Sequence, residues 1–569
     1  MKTNNENGDK DLSQEAQNVI EILNTKEKAR ISEICKMKCD SISSKTEKAV
    51  SLCSVIAFYA GADRVLIKEV IDAFVIDEEL TSIWKIDSFR DEIVSDAIER
   101  CNGNFYVKGN SLPFVYIDKK GKEIIHAKVF ADYFCKCNHL INVKDPEDID
   151  SELYIYISGV YERFSYIDFG NHACRILENS NPGLVKTNLF KEVFSLIKMS
   201  CPLIAREELD SNETIINCLN CLIKVTKDGI TTLPHTPDEY CTIQLPFEWK
   251  DEIIETPQFD SFMKTFTGDN EAIKILLCEF MGVTISNIRG SRFKAALFLV
   301  GDGDTGKSVL KSLTEYLIGD NNYGNAELQE LEARFGTSTA YRKRLVGSSD
   351  MKACSLKELN NFKKMTGGDS IHAEYKGQNS FHFRYKGTMW FCCNKLPYFG
   401  GDTGKWVYKR MLIVRCRNVI SEEEQDTDLV NKLILERDGI AQKLIFAVQR
   451  VIANNYKYDI PDCVIKERTD YSTENNSSLA FIKKYLSEWG NITKRNSVST
   501  TGFIYKVYKA WHKDNYHGIC DTEAKFKAEV AAFFKVSDMN TLITRVNGNS
   551  YYRVCTLSND IIHDYISII

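Results

Sequence analysis

The chain has 569 residues, of which 43% are hydrophobic and 27% charged, and its formal net charge at pH 7 is -6. This length corresponds to roughly three or four domains, and the composition is that of an ordinary globular protein. The segment MKTNNENGDKDLSQEAQ lacks the apolar core of a signal peptide, and no apolar run reaches the roughly 18 residues of a membrane span. We therefore expect a cytoplasmic protein with no membrane partner. The negative charge excludes a surface coated with nucleic-acid-binding charge, but a local basic groove remains compatible with it.

The 19 cysteines are scattered and odd in number, which favours a reduced compartment over a disulfide scaffold. Three groups have spacings that a metal could use, but none is joined by a second well-spaced pair: Cys35 with Cys39, Cys135 and Cys137 with His139, and Cys218 with Cys221. We interpret them as small core or surface residues, with a zinc site as the alternative.

In chain order, the first half divides into three segments. Residues 1–25 are polar and predict a flexible tail. Residues 27–104 place apolar side chains at three- and four-residue spacing, which predicts a helical bundle. Residues 105–250 predict a mixed α/β domain, with a hairpin around Asp118–Gly121 and helices near 127–137 and 186–198.

The second half divides into two segments. Residues 257–455 alternate helices with short apolar strands, which predicts an α/β domain with a largely parallel sheet. Residues 470–569 predict a separate helix-rich domain that ends in a strand near Ser550–Cys555. The expected fold class is thus multidomain α/β. The strands predicted in the α/β domain are Ala295–Val300, Arg344–Ser348, Thr388–Cys393 and Met411–Val414.

A phosphate-binding motif stands at residues 301–308. The sequence GDGDTGKS follows an apolar strand and precedes the helical VLKSLTEYL, the setting in which G-x-x-x-x-G-K-[ST] binds a nucleotide. A glycine-rich surface turn is the alternative. The predicted nucleotide-binding residues are Gly301, Asp302, Gly303, Asp304, Thr305, Gly306, Lys307 and Ser308, with Lys307 on the β- and γ-phosphates and Ser308 on Mg²⁺.

Two polar residues follow buried strands further along the chain. Asp350 ends the strand that begins at Arg344, and it is the candidate acid for holding magnesium or orienting water. Asn394 ends the strand Thr388–Cys393, where an amide can position the attacking water. A turn aspartate and a capping asparagine are the alternative interpretations.

A hairpin is predicted around Gly377, and it interleaves basic with aromatic residues, a combination that suits a nucleic-acid backbone. A solvated amphipathic hairpin is the alternative. Arg410 could act as an arginine finger on an adjacent subunit's nucleotide, with Arg415 and Arg417 as competitors and an intramolecular salt bridge as the alternative. The candidate DNA-binding residues of the hairpin are Lys376, His382, Arg384 and Lys386.

Taken in order, these motifs resemble the superfamily-3 helicases, specifically the phage and plasmid primase-helicase family related to poxvirus primase-helicases. The resemblance rests on GDGDTGKS, KRLVGSSD, KMTGGDSIHAEYK, MWFCCNKLP and KRMLIV. It implies an AAA+-like P-loop ATPase core at 257–455 and a helicase-associated domain at 105–250. DYSTENNSSLAFIKKYLSEW and FIYKVYKAWHKDN are similar to the family's winged-helix tail, which implies a DNA-binding winged helix at 470–569.

The resemblance also implies roles for single residues. Lys307 and Ser308 would bind MgATP, Asp350 would be the Walker B acid and Asn394 sensor 1. Arg410 would act in trans and Lys376 would grip single-stranded DNA in the pore of a homo-hexamer.

Two departures stand out. Asp350 is a single short acid where many relatives have Glu, and Glu374 stands where relatives often carry a basic residue. No acidic pair or zinc-finger cysteine set indicates a primase catalytic domain, so we expect any priming to come from a separate primase or replication protein.

These observations favour an ATP-dependent, ring-forming DNA helicase acting in replication of a phage, plasmid or other mobile element. Its partners would be single-stranded and duplex DNA. The alternative is a replication initiator that binds an origin and uses ATP as a switch, because residues 483–513 contain seven Lys and Arg against Glu488 alone. A P-loop kinase of a small molecule would explain neither the hairpin nor Arg410.

Overall fold

The structure, a computed structural model, divides into two compact units, residues 1–251 and 252–569. It describes residues 12–565 except for 28–30, 32–33, 35–41, 74–83, 85–86, 102–111, 146–150, 178–181, 353–354, 357–358, 378, 400–405, 489–499, 517–519, 559–560 and 562–564. The first part of the predicted tail, residues 1–11, lies outside the described residues.

The first unit begins with a helical bundle, as the apolar spacing predicts. The helices are α1 (Gln14–Lys26), α2 (Ile42–Ala60), α3 (Arg64–Ala73) and α4 (Asp87–Arg100). The prediction of a flexible tail at 1–25 is wrong for its second half. Ala16, Val19 and Leu23 of α1 are buried in the core of the bundle, and Ser13 caps the helix. The buried residues lie at three- and four-residue spacing among polar neighbours, which is the pattern of an amphipathic helix and not of a flexible tail.

The rest of this unit mixes strands and helices, as predicted. The hairpin at Asp118–Gly121 is confirmed, because the strands on either side of it pair antiparallel. A four-stranded sheet (order β5-β4-β3-β6) and a three-stranded antiparallel sheet (β7-β8-β9) follow. The elements are β1 (Val115–Ile117), β2 (Glu123–Ile125), α5 (Ala127–Cys137), β3 (Leu140–Lys144), β4 (Glu152–Ile157), β5 (Val160–Arg163), α6 (Tyr166–Ile176), α7 (Thr187–Ser200), β6 (Leu203–Ala205), β7 (Ile215–Asn217), β8 (Leu222–Thr226) and β9 (Gly229–Leu233).

The second unit is built on a five-stranded sheet in which every neighbouring pair is parallel, so the predicted parallel sheet is confirmed. Its order is β11-β12-β16-β10-β18. The elements are α8 (Pro257–Thr267), α9 (Glu271–Ile285), β10 (Ala296–Val300), α10 (Lys307–Ile318), β11 (Tyr323–Asn325), α11 (Leu328–Leu331), β12 (Leu345–Met351), β13 (Ser355–Leu356), α12 (Asn360–Gly367), β14 (Ser370–Ala373), β15 (Phe381–Arg384), β16 (Thr388–Cys393), β17 (Tyr398–Phe399), α13 (Trp406–Lys409), β18 (Met411–Arg415), α14 (Leu429–Leu435), α15 (Arg437–Ala453) and α16 (Asp462–Asn475).

Strands β10 and β16 are buried along their whole length, which explains their continuous apolar runs. The predicted strand Arg344–Ser348 is too short. It runs from Leu345 to Met351, and its register against β16 shifts between Ser348 and Met351. The shift places one extra residue in β12, and such a bulge can turn a side chain away from the regular alternation.

The predicted boundary at 455–470 is also wrong. Helix α16 packs on the sheet, since Tyr471 is part of its hydrophobic core and donates a hydrogen bond to the carbonyl of Pro397. Its Glu467 accepts hydrogen bonds from Arg415 and Arg417. The C-terminal domain therefore begins at about Asn476, after α16.

This C-terminal domain packs three helices around Phe481, Tyr508 and Phe526. The single strand predicted near Ser550–Cys555 is in fact two strands, which pair with different partners, β20 with β21 and β19 with β22. The elements are α17 (Ser477–Tyr485), β19 (Leu486–Glu488), α18 (Thr501–Asn515), α19 (Glu523–Phe533), α20 (Met539–Leu542), β20 (Ile543–Val546), β21 (Asn549–Tyr552) and β22 (Cys555–Leu557).

Within the described residues, no single helix has the length and apolar character needed to cross a membrane. One bent pair, Lys45–Ala60 and Arg64–Ala73, passes that test only when the two helices are taken together across a bend of 119°.

Candidate functional site

The predicted phosphate-binding loop connects β10 to α10, the strand, loop and helix arrangement that its motif requires. Gly306 lies in the left-handed region with φ of 81°, which suits glycine, and α10 begins at the next residue, Lys307. The first amides of α10 therefore face the loop, where a helix N-terminus favours an anion.

Lys307 is folded onto its own loop. Its Nζ donates to the carbonyls of Gly301 at 2.8 Å and Asp302 at 2.5 Å and to Oγ1 of Thr305 at 3.0 Å. Only 7% of the residue's surface is exposed. The ammonium group thus sits inside the curve of the loop, and its present partners are neutral oxygens that a phosphate could replace.

Two glycines of the loop differ in the space around them. A Cβ on Gly301 would lie 2.2 Å from the carbonyl oxygen of Cys416, so this position admits only glycine without a backbone shift. A Cβ on Gly303 would meet nothing within 4 Å. Gly301 therefore serves the packing of the loop against the strand end, while Gly303 leaves the outer rim of the loop open to a ligand.

The parallel register brings the other candidates to the same edge of the sheet. Val300 lies opposite Cys393 and Arg415, so Asn394 follows β16 directly beside the start of the loop. Its side chain is exposed. Sequence order gives no hint of this proximity, because Asn394 lies more than 80 residues beyond the loop.

Asp350 lies in the irregular part of β12 and its side chain is exposed. The Ser308 hydroxyl donates to the carbonyl of Ser349, the preceding residue, at 3.4 Å. This contact brings the first turn of α10 up to the carboxyl end of β12. The loop, Ser308, Asp350 and Asn394 thus share one edge of the sheet.

The oxygens of Ser308 and Asp350 are of the type that Mg²⁺ prefers, so these residues fit the metal expected from the sequence. Within the part of the chain that the structure describes, no three His, Cys, Asp or Glu side chains cluster as a metal site. A magnesium ion here would therefore keep waters or phosphate oxygens as further ligands, as Mg²⁺ usually does.

A pocket of about 310 Å³ opens at the same edge. It lies between the end of α8, the residues that follow β18, and α16, and Phe266, Asn270, Asn418 and Glu467 are among its lining residues. A Cβ on Gly306 would lie 3.4 Å from the ring of Phe266, so the pocket adjoins the loop.

Arg410 lies at the opposite edge of the sheet. Its guanidinium donates to the carbonyl of Lys363 at 2.9 Å and to Oγ1 of Thr366 at 2.6 Å, and it lies beside the ring of Trp406. Burial lowers the pKa of Arg410, an effect opposed by the nearby Asp369 carboxylate. The group stays charged all the same, because the ordinary pKa of an arginine lies far above neutral pH.

The competitors Arg415 and Arg417 lie at the loop edge instead. Both donate to Glu467, Arg415 through Nε at 2.9 Å and Arg417 through Nη2 at 3.0 Å. The alternative of an intramolecular salt bridge therefore describes these two arginines, while Arg410 is held by neutral acceptors.

The predicted hairpin is confirmed: β14 and β15 pair antiparallel, with His372 opposite His382. Alternation along the strands separates the two kinds of side chain that the sequence interleaves. His372, His382 and Arg384 are exposed on one face, whereas Phe381 and Phe383 pack against Tyr341 on the other. We call the exposed face, together with Lys376 near the turn, the basic hairpin face.

Lys386 does not belong to this face. It follows β15, is half-buried, and its carbonyl accepts the N–H of Gly290. His372 does belong to it, and sequence reasoning missed this residue because the cross-strand pairing that exposes it depends on the register of the hairpin.

Glu374, which stands where relatives of the resembled family often carry a basic residue, forms an ion pair. Arg334 binds it in a two-pronged ion pair, with Nε to Oε2 and Nη2 to Oε1 both at 2.9 Å. The side chain of Arg334 is 73% exposed and that of Glu374 only 17%. The positive member of the pair, Arg334, therefore faces solvent. The sequence does not indicate this pair, because its two residues lie 40 positions apart.

Comparisons with known proteins match parts of this chain. A family model described as D5 N terminal like matches residues 184–268, and one described as a family of unknown function, DUF5906, matches residues 299–410. The second range runs from the end of β10 to Arg410, and so takes in the loop, Asp350, the hairpin and Asn394.

A protein of Acanthamoeba polyphaga mimivirus named "Putative helicase L207/L206" is 25% identical over 280 residues, which cover 44% of this chain. The match spans 28% of the length of that relative. Two apo structures of the C-terminal region of NrS-1 match with a TM-score of 0.39 at 12% and 11% identity, covering 74% of this chain and 96% of each of theirs. The chain is thus similar to a helicase-type relative and contains a D5-like segment, which agrees with the resemblance at its coarser level.

Proposed function

We propose that this chain is an ATP-dependent DNA helicase that works as a ring in the replication of a mobile element such as a phage or plasmid. The observation that carries the proposal is the division of the candidate residues between the two edges of one parallel sheet. Lys307, Ser308, Asp350 and Asn394 lie at the carboxyl edge, and Arg410 lies at the amino edge.

In this proposal Lys307 exchanges the loop carbonyls for the β- and γ-phosphates of ATP, while the amides of the loop and of α10 hold the other phosphate oxygens. Magnesium held by Ser308 and Asp350 would offset the negative charge of the phosphates. Asp350 and Asn394 would orient the attacking water, since both side chains are exposed beside the loop.

The position of Arg410 supports a ring. Strand β10 is five residues long, so its first and last residues lie about 13 Å apart. An arginine at the amino end cannot reach a nucleotide at the carboxyl end of its own sheet. It can reach the nucleotide of a neighbouring subunit if that subunit's carboxyl edge faces it. A head-to-tail arrangement of this kind closes into a ring when the rotation from one subunit to the next divides a full turn evenly.

The basic hairpin face supplies a surface for single-stranded DNA in the same proposal. Lys376 and Arg384 would contact phosphates. The mimivirus relative's name and the D5-like segment support a helicase-type activity. The three helices and paired strands after Asn476 support the winged-helix interpretation of the C-terminal domain, and the strand, loop and helix at 296–318 support the AAA+-like one.

The test is an ATPase assay with and without single-stranded DNA, run beside a measurement of oligomer mass and of strand displacement. We expect DNA-stimulated hydrolysis that is lost in Lys307→Ala, because a charge-assisted hydrogen bond to phosphate contributes about 1.5–3 kcal/mol and the lysine makes more than one. Lys191→Ala, which changes an exposed lysine of α7 in the first unit, is the matched control. Full activity in Lys307→Ala would show that the loop is not the catalytic site.

The initiator alternative keeps one supporting observation, the basic stretch 483–513 in the C-terminal domain. It predicts ATP-dependent assembly on an origin with little strand displacement. Unwinding of a forked duplex by the wild-type chain alone would exclude it, and assembly without unwinding would favour it.

A further inference from the structure

Helix α18 of the C-terminal domain has two sharply different faces. Ile504, Val507, Tyr508 and Trp511 are buried in the domain core. Gly502, Lys506, Lys509 and Lys513 are exposed and follow one another at spacings of four, three and four, which places them in one line along the helix. We call these four residues the α18 stripe. The other exposed residues of α18, Asp514 and Asn515, are its last two.

The three lysines of the stripe differ from those of the next helix in their partners. In α19 and the residues before it, Lys525 pairs with Asp521 at 2.8 Å and Lys527 pairs with Glu523 at 2.7 Å. Within the described part of the chain, Lys506, Lys509 and Lys513 form no ion pair. The positive charge of α19 is thus neutralised locally, while that of the stripe faces solvent.

The amino end of α18 adds to this field. Thr500 caps the helix by accepting the N–H of Phe503, and a Cβ on Gly502 would meet nothing within 4 Å. The backbone at the positive end of the helix dipole is therefore open on the same line as the lysines. From Gly502 to Lys513 the stripe extends about 16 Å.

We propose that the α18 stripe is the surface by which the C-terminal domain binds the phosphate backbone of duplex DNA, and that α19 makes no ionic contribution to this binding. A straight row of cations matches the regular phosphates of a duplex, which carries a charge every ~1.7 Å of its axis. No exposed residue of α18 is aromatic, whereas surfaces for single strands stack bases on aromatic rings. The proposal rests on the DNA-binding part of the proposed function.

The experiment compares two charge-matched triple variants of the full chain. The stripe variant is Lys506→Gln, Lys509→Gln and Lys513→Gln. The control variant is Lys525→Gln, Lys527→Gln and Lys535→Gln in the same domain, where Lys535 is an exposed lysine just after α19. The affinity of each for a blunt duplex of about three helical turns is measured over a range of salt concentrations.

We expect the slope of log K against log salt to fall by up to ~2.7 in the stripe variant, since each phosphate contact contributes about 0.9. In the control variant the slope should change by less than about one unit. Equal slopes for the wild type and the stripe variant, or a larger loss in the control, would overturn the proposal.

A second measurement, the ATPase activity stimulated by single-stranded DNA, tests the helicase proposal separately from the stripe proposal. The stripe variant should retain it, because α18 lies outside the nucleotide site. If the stripe variant retains this ATPase activity and its salt slope for duplex DNA equals that of the wild type, only the stripe proposal is rejected. If the wild-type chain shows no ATPase activity but the stripe variant has the expected smaller salt slope, the helicase proposal is rejected and the stripe proposal is kept.

Discussion

Arg410 and Gly301 stand at the two ends of strand β10. The Arg410 carbonyl accepts the N–H of Ala296, the first residue of the strand, at 2.8 Å, and Gly301 follows its last residue, Val300. Because parallel strands share one direction, everything that follows a strand lies at one edge and everything that precedes it at the other. Arg410 therefore cannot reach the loop of its own chain.

If Arg410 acts on a neighbour, Arg410→Ala should lower ATPase activity by a factor on the order of 10³ or more, the range found for arginine fingers. ATP binding should persist, since the loop is intact. A mixture of Arg410→Ala and Lys307→Ala subunits should regain activity, because some sites then pair an intact Lys307 with an intact Arg410. Circular dichroism and oligomer mass control for the loss of the hydrogen bonds to Lys363 and Thr366. A mixture as inactive as its components, with ring mass retained, would contradict a role in trans.

Alanine substitutions at Gly301 and Gly303 should have different effects, the first on the stability of the fold and the second on nucleotide binding. In Gly301→Ala the new Cβ meets the Cys416 carbonyl at 2.2 Å, and the resulting shift should destabilise the second unit by about 1–3 kcal/mol. Gly303→Ala should leave the melting temperature unchanged, because its Cβ meets nothing. Thermal denaturation without nucleotide measures both. ATP titration should show weaker binding in Gly303→Ala if phosphates approach that rim. Equal melting temperatures for the two variants would contradict the packing role of Gly301.

Lys376→Ala should keep basal ATPase but lose DNA stimulation and unwinding, since the basic hairpin face lies apart from the loop. Lys120→Ala, at the turn of the exposed hairpin in the first unit, is the matched control. Glu374→Gln should bind single-stranded DNA several-fold more tightly at low salt, because it releases Arg334 from its ion pair. If Lys376→Ala and Glu374→Gln both bind single-stranded DNA with the affinity of the wild type, the DNA does not bind at the basic hairpin face.

Burial raises the pKa of Asp96 to about 6, helped by the carboxylates of Glu92 and Glu99 and opposed by Arg100 and His235. The folded state then holds a proton that the unfolded chain releases near its ordinary value of 3.8. The contribution of Asp96 to the free energy of unfolding is complete below pH 3.8. It is lost as the pH rises through 6, by an amount on the order of 2–3 kcal/mol.

Asp96→Asn should therefore raise the melting temperature at about pH 7.5 and change it little at about pH 4, because asparagine resembles the protonated acid. Denaturation followed at both pH values measures the difference. Asp132→Asn, an exposed acid paired with Lys128, should show no comparable pH dependence of its effect. A uniform shift of Asp96→Asn at both pH values would contradict the raised pKa.

The sequence by itself determined the local chemistry of this protein. The buried runs at 296–300, 388–393 and 411–415 had to form strands of a parallel sheet, because each is apolar on both faces and alternates with helices. The loop motif and the hairpin near Gly377 followed from equally local signals. The roles assigned to Lys307, Asp350 and Asn394 remain predictions.

Only the tertiary structure decided what depends on strand order and register. The order β12-β16-β10-β18 set Asn394 beside the loop and Arg410 at the far edge, and the bulge in β12 positioned Asp350. Packing on the sheet drew α16 into the core, and the ion pair with Arg334 neutralised Glu374. Burial and charge balance are sums over residues distant in the chain, so no local window of sequence contains them.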